Sequence, residues 1–164
     1  MRISNTILGG VAVLAVLTGS LMPTAALAVD ETNISKGIAL SGVGVAAHSY
    51  DVVSFFDGKP RVGVDPYATV HDGATYRFAT AANLAKFKAA PDKYAPAYGG
   101  FCAYGVSLGR KLDGDPRYWK IVDGKLNLLL NGDVFKTWKR DIAGNNRTAD
   151  MKWGAIRSTA IDKL

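Results

Sequence analysis

The stretch YATVHDGATYRF, residues 67–78, predicts a β-hairpin. Its centre is Asp72-Gly73, a pair suited to the type I′ turn, in which both central residues take positive φ. Aromatic and β-branched residues flank that pair on both sides, as expected of half-buried strands. A two-residue loop fixes the cross-strand partners as Tyr67 with Phe78, Thr69 with Tyr76, and His71 with Ala74.

A second hairpin is predicted in YWKIVDGKLNLLL, residues 118–130, around the turn Asp123-Gly124. One buried and one solvated face is the usual pattern of an antiparallel pair. The alternation gives an apolar face made of Trp119, Ile121, Leu126, Leu128 and Leu130. It gives a polar face made of Lys120, Lys125 and Asn127.

Helices are predicted after each hairpin. Thr80 is a suitable cap for a helix over 81–90, which ends before Pro91. Asn131 is a suitable cap for another helix, whose buried stripe comprises Phe135, Trp138 and Ile142. A last helix from about Thr148 repeats this spacing with Trp153, Ile156 and Ala160.

Ser49 or Asp51 is a candidate cap for a short helix upstream of the first hairpin that ends at Phe56. Together these elements predict a single small α+β domain over 38–164. In it, two antiparallel β-hairpins are interleaved with short helices and followed by a C-terminal helical segment.

Residues 1–28 have the pattern of a signal peptide. Arg2 precedes an apolar run over 7–21, and Ala26-Leu27-Ala28 is a motif that signal peptidase recognises. We expect cleavage after Ala28, a flexible mature N-terminus over 29–37, and a periplasmic or secreted protein. An uncleaved membrane anchor is the alternative, because the uncharged stretch is long enough to span a bilayer.

The chain carries 20 Lys and Arg against 14 Asp and Glu, a formal net charge of +6. Charges of both signs are interspersed, so we expect no nucleic-acid partner and at most a weak attraction to anionic membrane surfaces. The sequence has no nucleophile elbow, zinc-protease motif or phosphate-binding loop. These features favour a non-catalytic protein over an enzyme.

Cys102 is the only cysteine, and it lies in AYGGFCAYG, residues 97–105. It has no second cysteine with which to form a disulfide or a dithiol motif. It is a candidate soft-metal ligand or redox thiol, and the alternative, which residue chemistry alone favours, is a small buried hydrophobe. Gly99 and Gly100 permit unusual backbone angles next to it. The neighbouring aromatic side chains, which either line a pocket or pack this loop, are Tyr98, Phe101 and Tyr104.

The two histidines, His48 and His71, are candidate partners of Cys102. A site formed by two imidazoles and one thiolate would suit copper or zinc. The alternative for His71 is an edge residue beside a turn, and for His48 a residue that orders the start of a helix.

Three stretches of the chain resemble the YHS domain family. They are AAHSYDVVSFFDGKPRVG at 46–63, DGATYRFATAANLAKFKAAPDKYAPAYGGFCAYGVSLG at 72–109, and DGDPRYWKIVDGKLNLLLNGDVFKTWKRD at 113–141. The resemblance extends from about Ile38 to Trp153. It is greatest to the exported "YHS domain-containing (seleno)protein" group.

The resemblance has two implications for sulfur chemistry. YHS domains are associated with copper or zinc through cysteines, but this chain has Ala68, Ala79 and Asn83 where three of those cysteines would stand. Some members of the exported group carry selenocysteine at the position of Cys102, which implies redox or soft-metal chemistry there.

The expected function is therefore that of an exported YHS-type accessory or binding protein in which Cys102 is a soft-metal ligand or redox thiol. A metal-handling or redox protein is its candidate partner. One alternative is a thiol-dependent oxidoreductase in which an external partner regenerates Cys102. Another is a non-catalytic structural or interaction domain with an inert, buried Cys102.

Overall fold

The computed structural model describes residues 30–35, 37 and 42–164. It confirms the predicted fold class, a small α+β domain with two separate antiparallel two-stranded sheets and a C-terminal helix. The predicted signal peptide lies outside the described residues. Within the described ranges, none of the helices combines the length and the apolar character needed to cross a bilayer.

The two hairpins are formed by strands β1 (Val64–His71), β2 (Ala74–Phe78), β3 (Asp115–Val122) and β4 (Lys125–Leu129). The α-helices are α1 (Ala81–Ala89), α2 (Pro91–Tyr94), α3 (Ala103–Ser107), α4 (Gly132–Trp138) and α5 (Ile142–Ile156). Shorter 3-10 turns occur at Ala46–Ser49, Ser54–Asp57, Ala97–Gly100, Lys139–Asp141 and Ile161–Lys163.

Each hairpin is regularly paired near its turn and has a register shift further away. In the first, His71 pairs with Ala74 and Thr69 with Tyr76 as predicted. Phe78 pairs with Val64, however, so its predicted pairing with Tyr67 is wrong. The shift spans Pro66 because proline has no N–H to donate to the ladder.

The second hairpin repeats this arrangement, with a shift between Asp115 and Trp119 that spans Pro116. Near the turn, Trp119 pairs with Leu128 and Ile121 with Leu126. The two D-P pairs therefore mark where each ladder becomes irregular.

Strand β4 lies between two hydrophobic clusters. Leu126 and Leu128 belong to the first cluster, with Phe55, Phe78 and Phe87. The next residue, Leu129, belongs to a second cluster, which also contains Tyr98, Phe101, Cys102, Val106, Trp138 and Ala149. Because β4 is buried on both faces, it joins the two halves of the domain.

This burial changes the predicted polar face of the second hairpin. Lys120 and Lys125 are exposed as expected, but Asn127 is only 2 % exposed. The loop around Tyr98 and helix α5 cover that face, and both are distant from Asn127 in the chain. Asn127 is thus a buried polar residue where the alternation predicts a solvated one.

The predicted caps of α1 and α4 are confirmed. Thr80 Oγ1 accepts from Asn83 N at 3.1 Å, and Asn131 Oδ1 accepts from two backbone amides of α4. Helix α5 begins six residues earlier than the predicted Thr148, because Asp141 caps it by accepting from Gly144 N at 2.8 Å.

The short helix predicted before the first hairpin is a turn followed by the 3-10 segment Ser54–Asp57. Asp51, one of its two candidate caps, accepts from Val53 N and Ser54 N through Oδ1. Its Oδ2 accepts from Ala79 N and Asn83 Nδ2. Asp51 therefore connects this segment to β2 and α1.

Residues 30–35, part of the segment predicted to be a flexible N-terminus, make hydrogen bonds to the domain. Asn33 N donates to Gly99 O at 2.8 Å, and the Asn33 side chain donates to Gly100 O and to Asp113 Oδ1. Gly99 has a φ of +61°, and a Cβ at this position would collide with the Glu31 carbonyl. The unusual backbone angles predicted for Gly99 and Gly100 are present, and they allow the N-terminal segment to pack against this loop.

Candidate functional site

Cys102 lies at the start of α3, a helix that the sequence analysis did not predict. Its Sγ accepts a hydrogen bond from Gly105 N at 3.4 Å, so the thiol is the N-cap acceptor of this helix. Its backbone N donates to Leu112 O at 2.8 Å, and it forms a bridge to Leu128 of β4. The residue is fully buried in the second cluster.

Burial raises the pKa of the Cys102 thiol above its ordinary value. Backbone hydrogen bonds from Gly105, Leu130 and Tyr104 act in the opposite direction, and the nearby Asp113 carboxylate raises the pKa further. The thiolate is the nucleophilic and metal-binding form of cysteine, and here it is disfavoured. The surroundings of Cys102 therefore suit a structural thiol.

His48 occupies a strained left-handed turn. Ala47 and His48 both have a φ of +48°, and Ser49 has +68°. His48 Nε2 lies 2.8 Å from Asp113 Oδ1, which holds the imidazole in place. His48 therefore lies in a left-handed turn and contacts an aspartate. It neither begins a helix nor lies in a group of metal ligands among the described residues.

His71 lies at the end of β1, beside the hairpin turn. Its Nε2 is 3.4 Å from Asp72 Oδ2, and its ring meets Phe87 edge to face at a centroid distance of 5.6 Å. His71 also lines a cleft that does not include His48 or Cys102 among its wall residues.

The predicted three-ligand metal site is not formed. Within residues 30–35, 37 and 42–164, no cluster of three or more His, Cys, Asp or Glu side chains could hold a metal ion. Cys102 is enclosed in the second cluster, while His48 and His71 are each paired with a different aspartate. The donors present therefore do not fit the copper or zinc that the family resemblance implies.

Asp113 joins the N-terminal segment to the left-handed turn. Its Oδ1 accepts from Asn33 Nδ2 at 2.7 Å and Ser35 Oγ at 2.9 Å, and also contacts His48. Burial acts to raise the pKa of Asp113, but these hydrogen bonds outweigh it and hold the pKa below its ordinary value. The charged carboxylate is thus the form that the fold favours.

We expect Asp113→Asn to lower the free energy of unfolding by about 1 kcal/mol near pH 6, because an amide oxygen accepts less strongly than a carboxylate. A carboxylate with a depressed pKa stabilises the fold above its unfolded pKa of about 3.9, and the contribution is lost as pH falls through the folded value. The difference between the two proteins should therefore shrink between about pH 5 and pH 2 in urea titrations. A constant difference would contradict this role.

A cleft of about 460 Å³ lies beside the loop that precedes Cys102. A smaller cavity of about 120 Å³ adjoins it, and both are lined by Ala97, Tyr98, Lys125 and Asp150. Asn127 lines the smaller cavity, and Trp153 and Arg157 line the cleft. These spaces lie where the Tyr98 loop, the second hairpin and α5 meet.

Tyr98 and Asp150 form the shared wall through a hydrogen bond of 2.9 Å from the Tyr98 hydroxyl to Asp150 Oδ1. Burial and this hydrogen bond raise the pKa of Tyr98, so the phenol remains a donor. Tyr98 also takes a positive φ of 54°, which turns the loop sharply at the cleft.

The other predicted loop residues have packing roles. Phe101 belongs to the second cluster and Tyr104 packs against it. Lys111 Nζ lies 5.5 Å from the centre of the Phe101 ring and 5.7 Å from that of Trp153. Of the predicted aromatic side chains, only Tyr98 lines the cleft.

The sequence analysis missed Asn127 and Asp150 and treated Trp153 only as a helix residue that packs in the core. The one sequence signal for Asn127 is its position in LNLLL, where a single amide interrupts a run of leucines. Asp150 has no comparable signal, because its partner Tyr98 is 52 residues away.

No family model, no curated protein and no solved structure matches this chain.

Proposed function

We propose that this chain is an exported, non-catalytic binding domain of the YHS type in which Cys102 is structural. In this proposal the functional surface is the cleft beside Tyr98, and the thiol behind it holds the loop that forms one wall. This corresponds to the interaction-domain alternative of the sequence analysis.

The observation that carries the proposal is the environment of the Cys102 sulfur. It is fully buried, its pKa is raised, and it caps α3 by accepting from Gly105 N. A redox thiol or soft-metal ligand needs a sulfur that a substrate or metal can reach and a readily formed thiolate. This environment provides neither. A buried cysteine that packs and caps a helix needs only its size and its acceptor.

The cleft supports a binding role for a different reason. Its volume lies within the ordinary range of small-ligand sites, and aromatic and charged side chains converge on it. The N-terminal segment and the residue that follows α5 contribute to its surroundings through the ion pair of Glu31 with Arg157 at 2.7 Å. Residues far apart in the chain are thus combined at one surface.

A titration with Cu(I), Cu(II) and Zn(II) tests the proposal against the metal-ligand alternative. We expect wild type and Cys102→Ser to show the same affinity and stoichiometry for each ion, because the sulfur is enclosed. Circular dichroism confirms that the variant is folded. Tight one-to-one binding that is present in wild type and lost in Cys102→Ser would overturn the structural role.

A further inference from the structure

The structure assigns a ligand class to the cleft: we propose that it binds an organic cation carrying a primary ammonium group. This inference rests on the proposed function, since it deepens the role of the same surface. The evidence comes from charge, from an unpaired buried acceptor and from the aromatic wall.

The charge of the walls differs in sign from that of the whole chain. Among residues 30–35, 37 and 42–164, the only lysine and arginine that line the cleft and the smaller cavity are Lys125 and Arg157. The carboxylates there are Asp72, Asp92, Asp123 and Asp150. Arg157 is paired with Glu31, and Lys125 Nζ donates to the backbone oxygen of Asp92 at 2.7 Å, so four carboxylates face two cations of which one is already neutralised. A protein with a net charge of +6 therefore presents an acidic cleft, which favours a cationic ligand.

The smaller cavity lacks a donor for one of its acceptors. Asn127 lines this cavity at 2 % exposure, and its Nδ2 donates to Lys125 O at 3.1 Å. Its Oδ1 is buried and has no hydrogen-bond partner among the described residues. A buried acceptor without a donor destabilises the protein, so a ligand that supplies an N–H would recover that free energy.

Asp150 provides a negative charge on the wall of the same cavity. Its Oδ1 accepts from Tyr98, while Oδ2 takes part in none of the described side-chain hydrogen bonds. An ammonium group has three donors and no acceptor, which matches a carboxylate and an amide that line the same cavity. A neutral hydroxyl would satisfy the amide without using the charge.

The aromatic side chains indicate what the ammonium is attached to. Trp153 and Tyr98 meet edge to face at 6.1 Å, and both line the larger cleft. Aromatic faces attract cations and also pack against methylene groups. The smaller cavity, about 120 Å³, accommodates an ammonium head, and the larger cleft accommodates its aliphatic stem.

Calorimetric titration of the purified protein with 1,4-diaminobutane tests the assignment, with 1,4-butanediol as the uncharged control of the same length. We expect saturable diamine binding, at least about tenfold tighter than any binding of the diol. A second arm uses Nα-acetyl-lysine methylamide. The tighter of the two amines identifies the natural source, a free amine or a lysine of a protein partner.

Two variants locate the binding. Asn127→Leu removes the unpaired acceptor at similar volume, and Asp150→Asn removes the charge while keeping an acceptor for Tyr98. Each should weaken diamine binding by about tenfold or more. The matched control Asp133→Asn, on an exposed carboxylate of α4, should leave it unchanged. Because Asp150 is on the helix surface, its variant keeps the test valid if Asn127→Leu fails to fold.

Equal binding of diamine and diol, or unchanged binding in both cleft variants, would overturn the ammonium assignment. So would no binding up to about 10 mM, a concentration far above that of a specific ligand. These results leave the structural role of Cys102 intact. A Cys102 that binds metal or reacts in the native protein would instead overturn the proposed function.

Discussion

Replacing Asp51 with asparagine is expected to lower the free energy of unfolding by about 3 kcal/mol. Asp51 is fully buried, and its two carboxylate oxygens accept from Val53 N, Ser54 N, Ala79 N and Asn83 Nδ2. All four partners are donors, so this position requires a side chain with acceptors only. Asparagine places an NH₂ group where one of those oxygens stands.

The substitution is informative because it changes shape very little. Whichever way the amide is turned, its NH₂ faces backbone or side-chain N–H groups, and at least one buried donor loses its acceptor. Urea unfolding monitored by circular dichroism gives the difference. The matched control is Asp57→Asn, an exposed carboxylate in the adjacent 3-10 segment, which should change stability by less than about 0.5 kcal/mol. Equal effects of the two substitutions would refute the connecting role of Asp51.

The second large effect is expected at Lys111, whose replacement by methionine should cost about 3 kcal/mol. Lys111 is 5 % exposed, and its Nζ donates to the backbone oxygens of Asp30, Arg157 and Thr159 at 2.7–2.8 Å. Methionine preserves the aliphatic stem over the Phe101 and Trp153 rings. The decrease in the free energy of unfolding therefore measures the cost of leaving three backbone carbonyls without a donor.

This lysine also connects the two ends of the described chain. Its variant should release residues 30–35, which can be followed as faster hydrogen exchange at Asn33 N, the donor to Gly99 O. Lys120→Met is the control, since Lys120 is exposed on β3. Unchanged exchange at Asn33 in the Lys111 variant would show that the N-terminal segment is held independently.

Features set by neighbouring residues were predictable from the sequence. The Asp-Gly turns of both hairpins and the caps at Thr80 and Asn131 depend on contacts within about four residues. The fold class follows from these elements. Their local chemistry and their tertiary environment favour the same conformation.

The register shifts have a sequence signal in the two prolines. Pro66 and Pro116 lie one or two residues before the predicted strands that begin at Tyr67 and Tyr118, and each ladder is shifted there. Proline removes one ladder donor, so its presence predicts an irregular pairing. The predicted partner of Phe78 was wrong for this reason.

The cleft was not predictable because it depends on packing between distant parts of the chain. Alternation places Asn127 on a solvated face, but the Tyr98 loop and α5 cover it. Cys102 and His71 had recognisable chemistry in the sequence, whereas their burial and separate partners depend on the tertiary structure. Residue types alone suggest candidate metal ligands. They do not show whether those side chains lie close together in the folded protein.

The proposed function rests on the surface of the cleft, and Cys102 has a structural role in it. Cys102 contributes to the cleft by fixing the end of the loop that begins at Ala97 and contains Tyr98.

The rate at which iodoacetamide alkylates Cys102 tests this account most directly, with mass spectrometry as the readout. In the native protein the account predicts a rate limited by opening, since a domain stable by about 5 kcal/mol exposes its core in fewer than about one molecule in a thousand. Labelling should rise with urea in parallel with the loss of circular dichroism. Complete labelling of the folded protein at the rate of a free cysteine would contradict the account and return the function to the thiol.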